Sequence, residues 1–307
     1  MEQAGRWRRH RRVLVLAAVV LLAVVATFLV LSPPAFLRQV GADDRPSPVA
    51  GDPVPRPNRP IVRIAVAGDT GTGDAAERET VRRMVEEGRK RPYDALLLLG
   101  DLVYEDGDAD LARSRVRQAF APVLDTGATL VPVLGNHDYE SGEQSQILQI
   151  LGRNRSWYVQ RVGPVRLVVL DSNRVEDDAQ TEWLRRVLDS TPPGTWTIAA
   201  MHHPAYSAGY HGSDLEVRDR WGPLFARAHV PLVLAGHDHD YQRSTPQDGV
   251  TYVVSGAGAK LRRTGHEDFT AVSASVRHYL DLLVYRNRIV GRAIDQDGRL
   301  LDTFTIR

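Results

Sequence analysis

Five short apolar runs in this chain each end in a cluster of polar, chemically capable residues, and that repetition limits the fold more than any other feature. Ile61–Ala67 is followed by Gly68-Asp69-Thr70-Gly71, Asp94–Leu99 by Gly100-Asp101-Leu102-Val103-Tyr104, and Ala128–Leu134 by Gly135-Asn136-His137-Asp138. Thr195–Met201 is followed by His202-His203-Pro204, and Val230–Ala235 by Gly236-His237-Asp238-His239. Apolar, β-branched runs of this length bounded by glycine read as buried strands. Between the first three lie helical patterns. Asp74 caps a helix that runs to about Gly88, with Glu77 three residues on, and 108–124 reads as a second helix. The β-α-β-α-β order implies a mainly parallel sheet with helices on its faces. Ligands of such sheets gather outside the carboxyl ends of the strands, where all five polar clusters fall.

Val165–Leu170 is a further strand, and helices are expected near 178–189 and 214–228. The last part changes character: Thr251–Val254, Tyr279–Tyr285, Arg288–Asp295 and Leu300–Ile306 read as antiparallel strands, with an Asp297-Gly298 turn. Two sheets packed face to face with helices outside accommodate both parts. No internal repeat is visible, and 61–307 reads as one domain.

The polar clusters supply Asp69, Asp101, Tyr104, Asn136, His202, His237 and His239. A lone Gly-Asp after a strand is usually a turn or a helix cap. His237-Asp238-His239 says more, because alternate residues of an extended chain point the same way. Together the seven make an oxygen and nitrogen ligand set suited to Fe, Mn, Zn or Ni. The chain has no cysteine, which excludes thiolate metal sites, iron–sulfur clusters, disulfides and a cysteine nucleophile.

The pattern Asp69-x-Gly71, Gly100-Asp101-x-x-Tyr104, Gly135-Asn136-His137-Asp138, His202 and Gly236-His237-x-His239 resembles the purple acid phosphatase branch of the calcineurin-like metallophosphoesterases, in its compact single-domain form. Most of the wider superfamily has Asp-x-His in the first motif. Here the third position is Gly71, and Tyr104 stands in for the missing ligand. The resemblance implies a four-layer αββα sandwich and a dinuclear metal centre. In it Asp69, Tyr104 and His239 bind Fe(III), Asn136, His202 and His237 bind a divalent Fe, Zn or Mn, and Asp101 bridges the two. It implies a metal-dependent phosphoric monoester hydrolase in which a metal-bound hydroxide attacks phosphorus. His137 would protonate the leaving group, Asp138 would orient the His137 ring, and His211 would face the substrate. His203 reads as a loop contact, and Gly256-Ala257-Gly258 with Lys260 as a backbone approach to the site. The alternatives are a phosphodiesterase or nucleotidase on the same fold, and an inactive metal-binding module.

The N-terminal region is different in kind. Residues 1–12 are a basic segment with Arg6, Arg8, Arg9, Arg11 and Arg12, and 13–31 is a 19-residue run in which only Thr27 is not plainly apolar. As a helix it would span roughly 28 Å, close to the hydrocarbon thickness of a bilayer. The arginines place the N-terminus in the cytoplasm and the rest of the chain outside, as a single-pass signal anchor. The alternative is a protein secreted after signal cleavage, although the run is long for a signal peptide and no A-x-A-like site follows. Residues 32–60 hold 8 of the 18 prolines and read as an extended tether. Residues 1–60 carry 9 Arg against 4 acidic residues, leaving 61–307 with 30 basic and 34 acidic residues. A mildly acidic domain without a basic stripe does not read as a structural partner of nucleic acid; the resemblance implies small phosphate esters as its ligands.

Overall fold

The computed structural model describes residues 59–307. Segments 1–12, 13–31 and most of 32–60 lie outside the described residues, among which no helix is long and apolar enough to cross a membrane.

The chain opens with β1 (Val62–Ala67), α1 (Ala75–Gly88), β2 (Ala95–Leu99) and β3 (Thr129–Val133). It continues through α2 (Gln144–Ile150), β4 (Tyr158–Val162), β5 (Val165–Val169), α3 (Asp178–Asp189), β6 (Trp196–Ala200), α4 (Leu215–Arg227) and β7 (Leu232–Ala235). It closes with β8 (Tyr241–Ser244), β9 (Thr251–Ser255), β10 (Thr270–Ala274), β11 (His278–Val284), β12 (Ile289–Asp295) and β13 (Leu300–Ile306).

These form two mixed sheets, ordered β13-β12-β11-β1-β2-β3 and β10-β8-β9-β7-β6-β5-β4. The first is parallel over β1, β2 and β3 and antiparallel through β11, β12 and β13, whereas the second is parallel through β9, β7, β6 and β5 with antiparallel strands outside, β8 and β10 at one end and β4 at the other. Period-two side-chain alternation builds the layers. From β1, Val62, Ile64 and Val66 enter a core shared with Leu167 and Val169 of the other sheet, whereas Ala65 and Ala67 face Val81 and Met84 of α1. In the second sheet Val168 and Ala199 turn outward onto Leu184 of α3 and Trp221 of α4. β1, β2, β5, β6 and β7 are buried on both faces, which is why they read as unbroken apolar runs. The order helix, sheet, sheet, helix is the sandwich expected.

Two readings need correcting. Residues 108–124 are no continuous helix: short turns at Ala109–Ala112 and Ala121–Leu124 flank a π-helical stretch, Arg113–Gln118. The chain leaves helical geometry at Phe120, just before Pro122, whose nitrogen has no hydrogen to continue the ladder. Thr251–Ser255 does not join the C-terminal antiparallel strands either. It lies in the second sheet, parallel to β7 and antiparallel to β8.

Candidate metal centre

The loops after β1, β2, β3, β6 and β7 converge, and two of them must pass very close to their neighbours. A Cβ on Gly135 would stand 2.1 Å from Asp101 Oδ1, so only glycine lets the β3 loop lie against that carboxylate. Gly100 has φ +95°, and a Cβ there would meet His202 Nδ1 at 2.3 Å. Three chemically capable residues also sit in the left-handed region: Asp69 at φ 57°, Asp101 at 51° and His237 at 71°. Each costs about 1 kcal/mol or more in an L-residue, and such strain gathers where function fixes the backbone.

Seven polar side chains meet there in two groups. The Tyr104 hydroxyl lies 2.7 Å from Asp101 Oδ2, 3.2 Å from Asp69 Oδ1 and 3.3 Å from His239 Nε2. In the second group Asn136 Oδ1 is 3.0 Å from His202 Nε2 and 3.1 Å from His237 Nδ1, and those two ring nitrogens are 3.2 Å apart. Asp101 joins the groups, because its other oxygen, Oδ1, lies 3.4 Å from His202 Nε2. His202 Nδ1 faces the Leu99 carbonyl at 2.8 Å. A proton on Nδ1 donates to that oxygen and leaves Nε2 a bare lone pair turned to the centre.

The electrostatics fit a pair of cations. Asp69 and Asp101 are buried side by side. Burial above all, and then Asp101, pushes the Asp69 carboxyl well above its usual range. Burial raises Asp101 too, but the His202 and His137 rings and hydrogen bonds from Tyr104 and the His137 N–H outweigh it and hold that carboxyl below its usual range. Burial and both carboxylates push the Tyr104 phenol far up. Burial lowers His239 to about 4 and depresses His237 further, with neighbouring histidines adding to the latter. Neutral imidazoles with free lone pairs beside crowded, buried acids are what metal ions bind, and bound cations reverse the penalty on the carboxylates and the phenol. The anion-rich group of Asp69, Tyr104 and Asp101 suits a hard, highly charged ion, and the neutral amide with two imidazoles suits a softer divalent one.

His137 approaches from the β3 loop. Its ring tilts over Tyr104 with centroids 4.7 Å apart, and Nδ1 meets the Glu105 carbonyl and, at 3.2 Å, the Glu140 carboxylate. Asp138 does not orient it. That carboxylate is buried and accepts backbone N–H groups from Leu102 at 2.9 Å, Val103 at 3.0 Å and Gly135 at 2.8 Å, tying the β2 and β3 loops together. His211 stacks on His237 with centroids 4.3 Å apart, and Arg262 lies 3.2 Å from its Nε2. His203 is held by Ser172 Oγ at 2.8 Å, yet its ring also lies 4.5 Å from that of His237. The Gly258 N–H donates to the Gly68 carbonyl at 3.0 Å, so this loop does approach by backbone. Lys260 brings charge as well: its ammonium sits 3.9 Å over the Tyr104 ring and pairs with Glu105 at 2.8 Å.

The sequence reading missed Asp238. It points away from its two histidine neighbours and accepts the His211 N–H at 2.8 Å and the Ser207 hydroxyl, so it pins the 203–213 loop. The bends through 237–240, with His237 in the left-handed region, give the residue between the two histidines its own set of neighbours.

Fold and site together define a class. The chain matches the calcineurin-like phosphoesterase family over residues 62–241 and belongs to it. Its relatives include purple acid phosphatases. It is 32% identical over 215 residues to Purple acid phosphatase 21 of Arabidopsis thaliana, which covers 62% of this chain and 46% of that protein. It is 24% identical over 253 residues to Purple acid phosphatase 3 of the same plant, covering 72% of this chain and 69% of that one. The chain thus spans about half the length of the first relative. Among solved structures, purple acid phosphatase PPD1 from yellow lupin seeds shares the fold with a TM-score of 0.71 at 18% identity, over 82% of this chain and 55% of that one.

Proposed function

We propose that the protein is a dimetal phosphomonoesterase of the purple acid phosphatase kind. Asp69, Tyr104 and His239 would hold Fe(III), and Asn136, His202 and His237 a divalent Fe, Zn or Mn. The observation that carries this reading is the position of Asp101, with one oxygen against Tyr104 and the other against His202. When bound, the two ions neutralise phosphoryl oxygens and generate a nucleophile from water at neutral pH. The other tasks fall to the chain. With Nδ1 engaged by Glu105 and Glu140, His137 keeps Nε2 to give a proton to the departing oxygen. His211, fixed through its own N–H to Asp238, offers an imidazole to the phosphoryl oxygens beside His237.

The test is turnover of aryl monophosphate and bis-aryl phosphate by the metal-loaded full-length protein. The monoester should be the faster substrate. Faster diester hydrolysis, or no turnover of either, overturns the proposal. His137→Ala should keep both metals and lose about 10²–10⁴-fold in kcat for an alkyl phosphate, the usual contribution of a positioned acid. The loss should be far smaller for nitrophenyl phosphate, whose leaving group needs no proton. Equal losses on both would remove His137 from that role.

The proposal includes a location. A membrane anchor at 13–31 and a tether at 32–60 would hold the domain outside the membrane, where it meets phosphate esters that cannot cross. Protease added to intact cells should then release an active fragment beginning near residues 40–60. Protection of the domain until the membrane is permeabilised would reverse the orientation, and spontaneous release of a protein starting near Ser32 would indicate cleavage.

A further inference from the structure

The loop after β9 passes beside the metal centre and is tied down on both sides of Lys260. The Gly258 N–H donates to the Gly68 carbonyl at 3.0 Å, and the Gly258 carbonyl accepts the Thr80 hydroxyl of α1. The Ala259 carbonyl accepts from Arg277 Nε at 2.6 Å, and the Arg262 N–H donates to the His239 carbonyl at 2.9 Å. Only glycine fits where the loop crosses β1, because a Cβ on Gly258 would stand 2.4 Å from Thr70 Cγ2 and 2.6 Å from the Gly68 carbonyl oxygen. The backbone therefore fixes where the Lys260 side chain starts. Its ammonium rests 3.9 Å over the centroid of the Tyr104 ring, with both carboxylate oxygens of Glu105 at 2.8 Å.

The two charges of this pair do not cancel at the ring. The Lys260 side chain is 27% exposed and lies against the ring face, whereas that of Glu105 is 73% exposed, where water screens its charge. The ammonium also meets the face of the ring and not its oxygen. Its hydrogen bonds go to Glu105, while the Tyr104 hydroxyl faces Asp101, Asp69 and His239. The contact thus bears on the π electrons and leaves the oxygen to the metal. A cation in this position is attracted by the electron density of the ring and draws it towards itself. Those π electrons are also what a phenolate lends to a ferric ion, and groups around a ligand tune the metal through it. We infer that Lys260, held in place by Glu105, sets the strength of Tyr104 as an electron donor: it weakens donation to the iron and raises the energy of the charge-transfer band. The inference rests on the dimetal reading and adds a residue that acts through a ligand, touching neither metal nor substrate.

The test uses the full-length protein loaded with iron and a divalent ion, and it has two readouts: the visible spectrum and the turnover of phenyl phosphate. Lys260→Met keeps the length of the side chain and removes its charge. At equal iron content its band should move to longer wavelength by roughly 5–20 nm, the size of one cation–π interaction in a visible transition. Lys260→Arg restores a cation able to stack on the ring and should bring the band at least halfway back. A cation beside the centre is also able to hold the phosphate of the substrate, and KM separates that role from this one. Under the inference the KM of Lys260→Met stays within about threefold of wild type, because no ground-state contact is lost. A band that stays in place in Lys260→Met, or moves as far in Lys260→Arg, overturns the inference. A KM raised about tenfold with an unmoved band overturns it in favour of phosphate binding. A colourless, iron-loaded wild type removes Tyr104 from the iron and takes the inference with it. A coloured wild type whose band is indifferent to Lys260 sinks the inference alone and leaves the dimetal reading standing.

Discussion

Asp101→Asn is expected to remove both metal ions and at least a hundredfold of turnover together. Asp101 is the one carboxylate that reaches both ligand groups, at 2.7 Å from the Tyr104 hydroxyl and 3.4 Å from His202 Nε2. Asparagine keeps the shape but carries no charge, and its Nδ2 is a donor with no lone pair for a metal. Loss of a partner one step removed from a metal typically costs about 10–100-fold in affinity, so loss of a shared ligand should exceed that. The fold should survive, because an Asn oxygen still accepts the His137 N–H that Asp101 Oδ1 now takes at 3.1 Å. Elemental analysis and aryl phosphate turnover on the same preparation read the result. Two retained metals with near wild-type turnover would remove Asp101 from the bridging position.

Asp138→Ala should act on stability first. The alanine leaves the N–H groups of Leu102, Val103 and Gly135 without their acceptor in a fully buried place. Unsatisfied buried donors cost about 1–3 kcal/mol each, and with partial relaxation a total of about 3–5 kcal/mol is expected. For a domain of this size that lowers Tm by roughly 10 °C. Asp138→Asn, which retains one acceptor oxygen, should lose about half as much. An alanine variant with Tm within about 2 °C of wild type and a lost His137-dependent rate would restore the orienting role that the geometry denies it.

The parts of the fold that could be read from the sequence are those where one physical pressure dominates. β1, β2, β5, β6 and β7 are buried on both faces, so their apolar runs admit little else. Asp74 accepts the N–H groups of Ala76 and Glu77 as a helix cap does, at 2.9 Å and 3.1 Å. Two of the three strands that escaped notice, β4 and β8, carry mixed signals. Tyr158–Val162 is an edge strand, mostly half-buried, and Tyr241-Gln242-Arg243-Ser244 is strongly polar because its side chains serve ion pairs and loops. The placement of β9 depends on which strands pair across the sheet, a long-range outcome with no local trace.

The candidate site was legible because each ligand-type residue follows a recognisable strand, and five strand ends in one architecture converge. Asp138 shows where that logic stops. Adjacency to His137 suggests a partnership, but the short 3-10 turn over His137–Tyr139 sends the two side chains to different neighbours.

Metal content tests the central claim most directly. The full-length protein, reconstituted with iron and a divalent ion and freed of excess metal, should hold two ions per chain, one of them iron. Tyr104→Phe should selectively release the iron and bleach any visible charge-transfer band, leaving the divalent ion in place. A protein that saturates at one ion per chain or none, or whose iron is indifferent to Tyr104, would contradict the dimetal centre.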